Sequence, residues 1–222
     1  MIRLFLIQAA ALVLVMSLAW WWQRRCGNAG WVDVFWTFGT GLAGILGALW
    51  PFADNAVYGP RQFCVAVLAA IWAGRLGWHL QARVRTRPED ARYAGFRKEW
   101  GDAFQGRLFW LLMVQAAAAL PLAAAILLAA RNPVMGVHLI DLLGLFLFVI
   151  AVLGESAADR QLARFSADPA NRSRVCDEGL WAWSRHPNYF FEFLIWCAWP
   201  CFAFNSGWHF WWISLVAPAL MY

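Results

Sequence analysis

Residues 179–192 read GLWAWSRHPNYFFE and run straight into the apolar FLIWCAWP of residues 193–200. A Ser, an Arg, a His, an Asn and a Glu thus collect where the chain enters an apolar segment, a costly place for polar groups. Pro187 has a fixed φ and no N–H to lose, so it suits a first helical turn. His186 is then the cap, and Asn188 and Glu192 share a face. Free backbone N–H groups and the positive end of the helix dipole point toward Arg185 and His186, so an anionic ligand, phosphate or carboxylate, is expected there.

The rest of the chain explains the apolar surroundings. Of its 222 residues, 62% are hydrophobic, and 17 Trp and 17 Phe give it an aromatic content suited to lipid and headgroup contact. Spanning hydrocarbon takes about 20 apolar residues as helix. Runs of that size recur at residues 4–22, 31–50, 61–82, 108–130, 134–154, 188–204 and 208–222. The expected fold is therefore an all-α integral membrane protein, a bundle of about seven transmembrane helices forming one polytopic domain over 1–222. The first run ends in Trp20, Trp21 and Trp22 without small residues for cleavage, so it reads as a retained helix rather than a signal peptide.

The net charge of +5 is unevenly placed. Arg24 and Arg25 follow the first run, and most other cations lie in the connectors 83–107 and 160–185. With seven spans these three connections share one side, which the positive-inside rule makes cytoplasmic, with the N-terminus outside. A bacterial inner membrane or the endoplasmic reticulum fits that placement. The cations flank spans and alternate with acids, so they suit anionic headgroups and an anionic cofactor better than nucleic acid. No obligate protein partner is evident. The connector from Pro51 to Pro60 is short and turn-rich, as an outside loop would be.

Several polar groups sit inside or beside the spans. Asp33 opens the second, with Trp36 and Thr37 on its face; an interfacial cap is the simplest account of it. Arg75, His79 and Arg83 form a ladder on the third, facing either a cavity or the headgroups. Arg87 to Arg107 then reads as a surface amphipathic stretch, or as a clamp in which Arg83 and Arg92 hold phosphates while Tyr93 stacks on a ring. Asp141 lies near the start of the fifth span, and Glu155 and Asp159 share a face at its end, which calls for a cation, amide or hydroxyl between them. The fourth span, around Pro121, shows no polar group in need of a role. His138 and His209 read as span-end residues, and Cys197 and Cys201 as packing residues. Scattered cysteines with no histidine nearby give no metal site. No glycine-rich nucleotide fingerprint is found, so any nucleotide site has to be built between helices.

Gly179-Leu180-Trp181 followed by Arg185-His186-Pro187-Asn188-Tyr189-Phe190 and Glu192 resembles the signature of membrane-embedded steroid 5α-reductase-like proteins. Asp33 with Trp36, Glu89-Asp90 with Arg92-Tyr93, and Glu155 with Asp159 resemble further blocks of that family. The resemblance implies NADPH as cofactor and reduction of a carbon–carbon double bond conjugated to a carbonyl in a lipophilic substrate entering from membrane lipid. It implies Asp33 as the acid facing substrate, with Tyr189 second. It implies Arg75, His79, Arg83, Arg92, Tyr93, Asp159, Arg185, His186, Asn188 and Glu192 around the cofactor. Phe191 stands where the family has Gly, which implies a narrower cofactor pocket, and Trp72 replaces a Tyr of the third span, which widens the substrate class beyond steroids. The family also has a basic, tyrosine-containing tail beyond the position of Tyr222. The shorter Arg-His-Pro-x-Tyr also resembles isoprenylcysteine and phospholipid methyltransferases, which use S-adenosylmethionine. A non-catalytic lipid- or sterol-binding protein is the third reading.

Overall fold

The computed structural model describes residues 2–50, 59–134, 136–172 and 174–222. The expected outside loop at 51–60 therefore lies almost wholly outside the described residues. The protein is 83% helical, with no strand among the described residues. It forms two compact units, Met1–Arg131 and Asn132–Tyr222.

The first unit holds α1 (Ile2–Cys26), α2 (Trp31–Leu49), α3 (Pro60–Thr86), the short α4 (Ala91–Trp100) and α5 (Phe104–Ala130). The second holds α6 (Leu139–Ala167), α7 (Pro187–Ala203) and α8 (Val216–Met221). Five helical stretches are long and apolar enough to cross a membrane: α1, α2, α3, α4–α5 taken together, and α6. They bear out the all-α membrane bundle and match the first five expected spans. The sixth expected span is a 17-residue helix, α7. The seventh is a 3-10 turn, Trp211–Leu215, followed by the six residues of α8.

In the first unit α2 lies at the centre because its glycines let three neighbours approach. A methyl group on Gly39 would meet Val15 of α1, one on Gly41 would lie 2.3 Å from the Cβ of Ala73 in α3, and one on Gly44 would meet Ile126 of α5. Small residues at helix contacts are how membrane helices pack without a hydrophobic driving force between them. Polar ties add to this: the buried Gln8 of α1 donates to the carbonyl of Ala43 at 2.9 Å, and Gln23 donates to Gln105 Oε1 at 2.7 Å.

The second unit is an antiparallel hairpin of α6 on α7. Gly144 faces Ala198, Cys201 and Phe202, Phe148 packs edge-on against Trp199, and Gly154 receives the ring of Phe191. The pocket narrowing expected from Phe191 is thus met by a glycine on the opposing helix, with the ring set against α6. Asn132 closes the unit by donating from Nδ2 to the carbonyls of Phe202 and Phe204, both at 3.0 Å.

The fifth expected span needs its ends moved. α6 begins at Leu139, where the Asp141 carboxylate accepts from the backbone N–H of His138 at 2.9 Å, so that acid caps the helix. Its 29 residues span about 44 Å at 1.5 Å per residue, well over the thickness of the hydrocarbon core.

Candidate functional site

The polar residues of the first unit meet where α2 begins and α3 ends. Gly27, at φ 71°, turns the chain after α1, and Asn28 Oδ1 accepts from the amide of Gly30 at 2.8 Å. α2 then starts at Trp31 with Asp33 in its first turn. On the far side Asp90 caps α4 by accepting from the amide of Arg92 at 3.0 Å, which brings Arg92 and Tyr93 round toward α2.

Both oxygens of Asp33 are engaged. The Tyr93 hydroxyl donates to Oδ1 at 2.9 Å, and Arg92 Nη2 donates to Oδ2 at 2.8 Å. Arg92 Nε also reaches Asp90 at 3.1 Å, and Arg83 Nη2 donates to the other Asp90 oxygen at 2.7 Å. Next to this group, Glu89 accepts from the amide of Ala29 at 2.8 Å and from Arg97 at 2.8 and 3.2 Å. Gln115 of α5 lies beside Tyr93, and the indole N–H of Trp36 donates to the Gln115 backbone carbonyl at 3.3 Å. A cavity of about 20 Å³ adjoins Asp33, lined also by Asn28, Gly30, Leu80 and Arg83. That is room for about one water molecule.

Asp33, Arg83, Arg92 and Tyr93 therefore lie together, and their partners within the chain are each other and Asp90. The two arginines read as phosphate clamps place their N–H groups on Asp90 and Asp33, and Tyr93, read as a stacking ring, is 2% exposed within the apolar core. Glu89, Asp90, Arg97 and Gln115 complete the cluster. The first two stood in a motif without a role, and Gln115 lay in the span read as needing none. His79 and Arg75 lie on α3 above Arg83, one and two turns deeper along the helix.

Glu89 and Asp90 lie in the loop outside the helices, and their charges respond to competing effects. Burial opposes ionisation of Glu89, but the hydrogen bonds from Arg97 and the Ala29 amide outweigh it and hold the carboxyl below its ordinary range. For Asp90, burial is likewise outweighed by the bonds and charge of Arg92 and by the charge of Arg83. A carboxyl whose pKa is lowered on folding adds stability above its unfolded pKa and loses it as pH falls through the folded value. The melting temperature in detergent is therefore expected to stay level from neutral pH to about pH 5 and to fall below about pH 4. Glu89→Gln/Asp90→Asn protein should melt lower at neutral pH and show a flatter acid limb in the same series of melts.

In the second unit the Gly179–Ala182 turn docks onto α6. Gly179, at φ 59°, brings the backbone so close to Gln161 that a methyl group there would lie 2.7 Å from its amide nitrogen. The Leu180 amide donates to Gln161 Oε1, and the Trp181 indole donates to the Ala158 carbonyl, both at 2.9 Å. α7 then starts with Pro187 at its first position and His186 at the cap, although no side-chain capping bond forms. Arg185, His186 and Tyr189 are exposed at this end, with the His186 and Tyr189 rings stacked 5.2 Å apart. One turn in, Glu192 is buried and accepts from the Trp196 indole at 2.8 Å. Asn188 lies on the same face, and its buried Oδ1 has no hydrogen-bond partner among the described residues. Glu155 and Asp159 of α6 are buried as well. A separate cleft of about 390 Å³ lies near the end of α6, lined by Gln161, Arg164, Phe165, Asp168, Asn171, Glu178 and Gly179.

A helical fold with five apolar helices of spanning length and polar clusters at helix ends defines a multi-pass integral membrane protein. More narrowly, the chain belongs to the family described as "Protein of unknown function (DUF1295)", whose model matches residues 19–222. That family is related to the steroid 5α-reductase-like membrane proteins. No curated protein and no solved structure matches the chain.

Proposed function

We propose that the protein is a membrane-embedded reductase that uses NADPH to saturate a carbon–carbon double bond conjugated to a carbonyl in a lipophilic substrate. The observation that carries this reading is the Tyr93–Asp33–Arg92 arrangement, a phenol and a guanidinium hydrogen-bonded to the two oxygens of one carboxylate at the mouth of α2. Such a group can hydrogen-bond a carbonyl oxygen and stabilise the charge that builds on it as hydride reaches the β-carbon, and the α-carbon then takes a proton to complete the saturated product.

When bound, NADPH would supply the hydride. Asn188 fits a role in holding it, because its buried amide oxygen is an acceptor awaiting an N–H donor such as a carboxamide. Arg185 and His186 fit the charged part, since both stand exposed beside the first turn of α7. Arg75, His79, Arg83, Asp159 and Glu192 remain candidate cofactor contacts, and Tyr189 is the second candidate donor. Within the chain, Asp33 orients the Tyr93 hydroxyl and Arg92 balances the carboxylate charge, so a proton is held at the Tyr93 oxygen. The basic ends of the first unit suit a cytoplasmic position, with the N-terminus outside.

The test is equilibrium binding of NADPH and of S-adenosylmethionine to the detergent-purified chain, with Arg185→Ala alongside. Selective NADPH binding, weakened about tenfold or more by Arg185→Ala, is expected from loss of a charge-assisted phosphate contact. Selective binding of S-adenosylmethionine would move the reading to methyl transfer. Binding of neither would leave a lipid- or sterol-binding protein.

A further inference from the structure

The cations at the α4 end of the first unit fall into two groups. Arg83, Arg92 and Arg97 are tied to Asp90, Asp33 and Glu89. Arg25 and Arg85 are stacked on tryptophans instead, with the Arg25 guanidinium carbon 5.1 Å from the Trp21 ring centre and that of Arg85 6.0 Å from the Trp31 ring centre. Between them the aromatic row is continuous: Trp21 meets Trp22 at 6.4 Å, and Trp22 meets Trp31 edge-on at 6.0 Å. The end of α1, the start of α2 and the end of α3 thus share one ribbon of three indoles with a guanidinium at each extremity.

A guanidinium that rests its flat face on an indole keeps its N–H edge for hydrogen bonding. Among the described residues neither Arg25 nor Arg85 is bonded to a carboxylate, and both are exposed. Trp21 and Trp22 are 47% and 39% exposed, as rings seated at headgroup depth would be. The whole end carries nine cationic side chains, Arg24, Arg25, Arg83, Arg85, Arg87, Arg92, Arg97, Lys98 and Arg107, against five carboxylates, Asp33, Glu89, Asp90, Glu99 and Asp102. This excess would repel the ammonium of a zwitterionic headgroup and attract a headgroup whose net charge is negative.

We propose that the ribbon from Arg25 through Trp21, Trp22 and Trp31 to Arg85 is a binding surface for anionic phospholipid, with the phosphodiester on the arginine edges and the glycerol and upper acyl chain against the indoles. The surface holds its lipid by charge, fork geometry and ring contact together. It is distinct from the Asp33 cluster and independent of the reductase reading.

Native mass spectrometry of the detergent-purified chain, supplied with phosphatidylglycerol and phosphatidylcholine of matched acyl chains, tests it. Wild-type protein is expected to retain phosphatidylglycerol in preference. Arg25→Gln/Arg85→Gln protein should retain it about tenfold less or weaker still, in line with the loss of two surface cations. Arg3→Gln/Arg61→Gln protein, which loses the same charge at the opposite ends of α1 and α3, should behave as wild type. Arg25→Lys/Arg85→Lys protein should keep most of the preference, and the Arg25/Arg85 variants should melt with wild type because both side chains are exposed. Absence of a phosphatidylglycerol preference, equal loss in the two glutamine doubles, or displacement of the lipid by inorganic phosphate at equal concentration would overturn the proposal.

Discussion

Asp33→Ala protein is expected to lose both enone reduction and stability, whereas Asp33→Asn is expected to lose mainly the reduction. Alanine leaves the Tyr93 hydroxyl without its acceptor in a residue 2% exposed, a deficit of about 1–3 kcal/mol. The exposed Arg92 adds little to that cost, because water replaces its lost partner. Asparagine keeps the shape and one acceptor oxygen, so the fold should melt close to wild type. It carries no charge to orient the proton or to balance Arg92, and turnover should fall about 10²–10⁴-fold, the usual worth of a positioned proton-transfer group. NADPH-dependent reduction of a lipophilic enone, measured beside thermal unfolding, separates the two effects. Full turnover in Asp33→Asn would remove this carboxylate from the chemistry and leave it as a helix-end tie. A Tyr93→Phe/Asp33→Asn double variant no slower than either single variant would show that the two act as a unit.

The second large effect is expected from Gly41→Leu. The Cβ alone would stand 2.3 Å from that of Ala73, closer than packed carbons can lie, so α2 and α3 would have to separate. Overpacking of a well-filled core costs about 1–3 kcal/mol where side chains can give way. Here the obstacle is a Cβ on another helix that cannot rotate aside, and the loss should exceed that range. The variant should fail to give a single folded peak by size-exclusion chromatography in detergent. Gly74→Leu, the same change on α3 where an added Cβ meets nothing within 4 Å, should elute as wild type. Equal behaviour of the two would mean that α2 does not depend on close approach.

Apolar run length made the helices legible, and α1 to α3 begin within two residues of where the sequence places them. α6 runs well past the expected span because hydropathy reads the membrane and not the helix: residues 155–167 carry Glu155, Asp159, Arg160 and Arg164 yet continue the same helix. The seventh expected span failed in the opposite way, since residues 208–222 are apolar enough but break into a 3-10 turn and a short helix. Within the site, Asp33, Arg83, Arg92 and Tyr93 were recognisable as residue types out of place near lipid. Their pairing was not, because Asp33 meets Arg92 across 59 positions and a charged side chain does not carry its partner's address. Phe191 was legible only as an intrusion. That Gly154 had made room for it is a property of two helices together and of neither alone.

The bond between Glu89 and the Ala29 amide has a consequence for how the chain is threaded during synthesis. It joins the connection after α1 to the connection after α3, so those two loops must emerge in the same compartment. The parity of crossings is thereby fixed by a contact in the finished fold, apart from any count of basic residues. A chain with one of these helices inserted the wrong way round would leave Glu89 and Arg97 on one face of the bilayer and the waiting amide on the other, and it could not close this end until the error was undone.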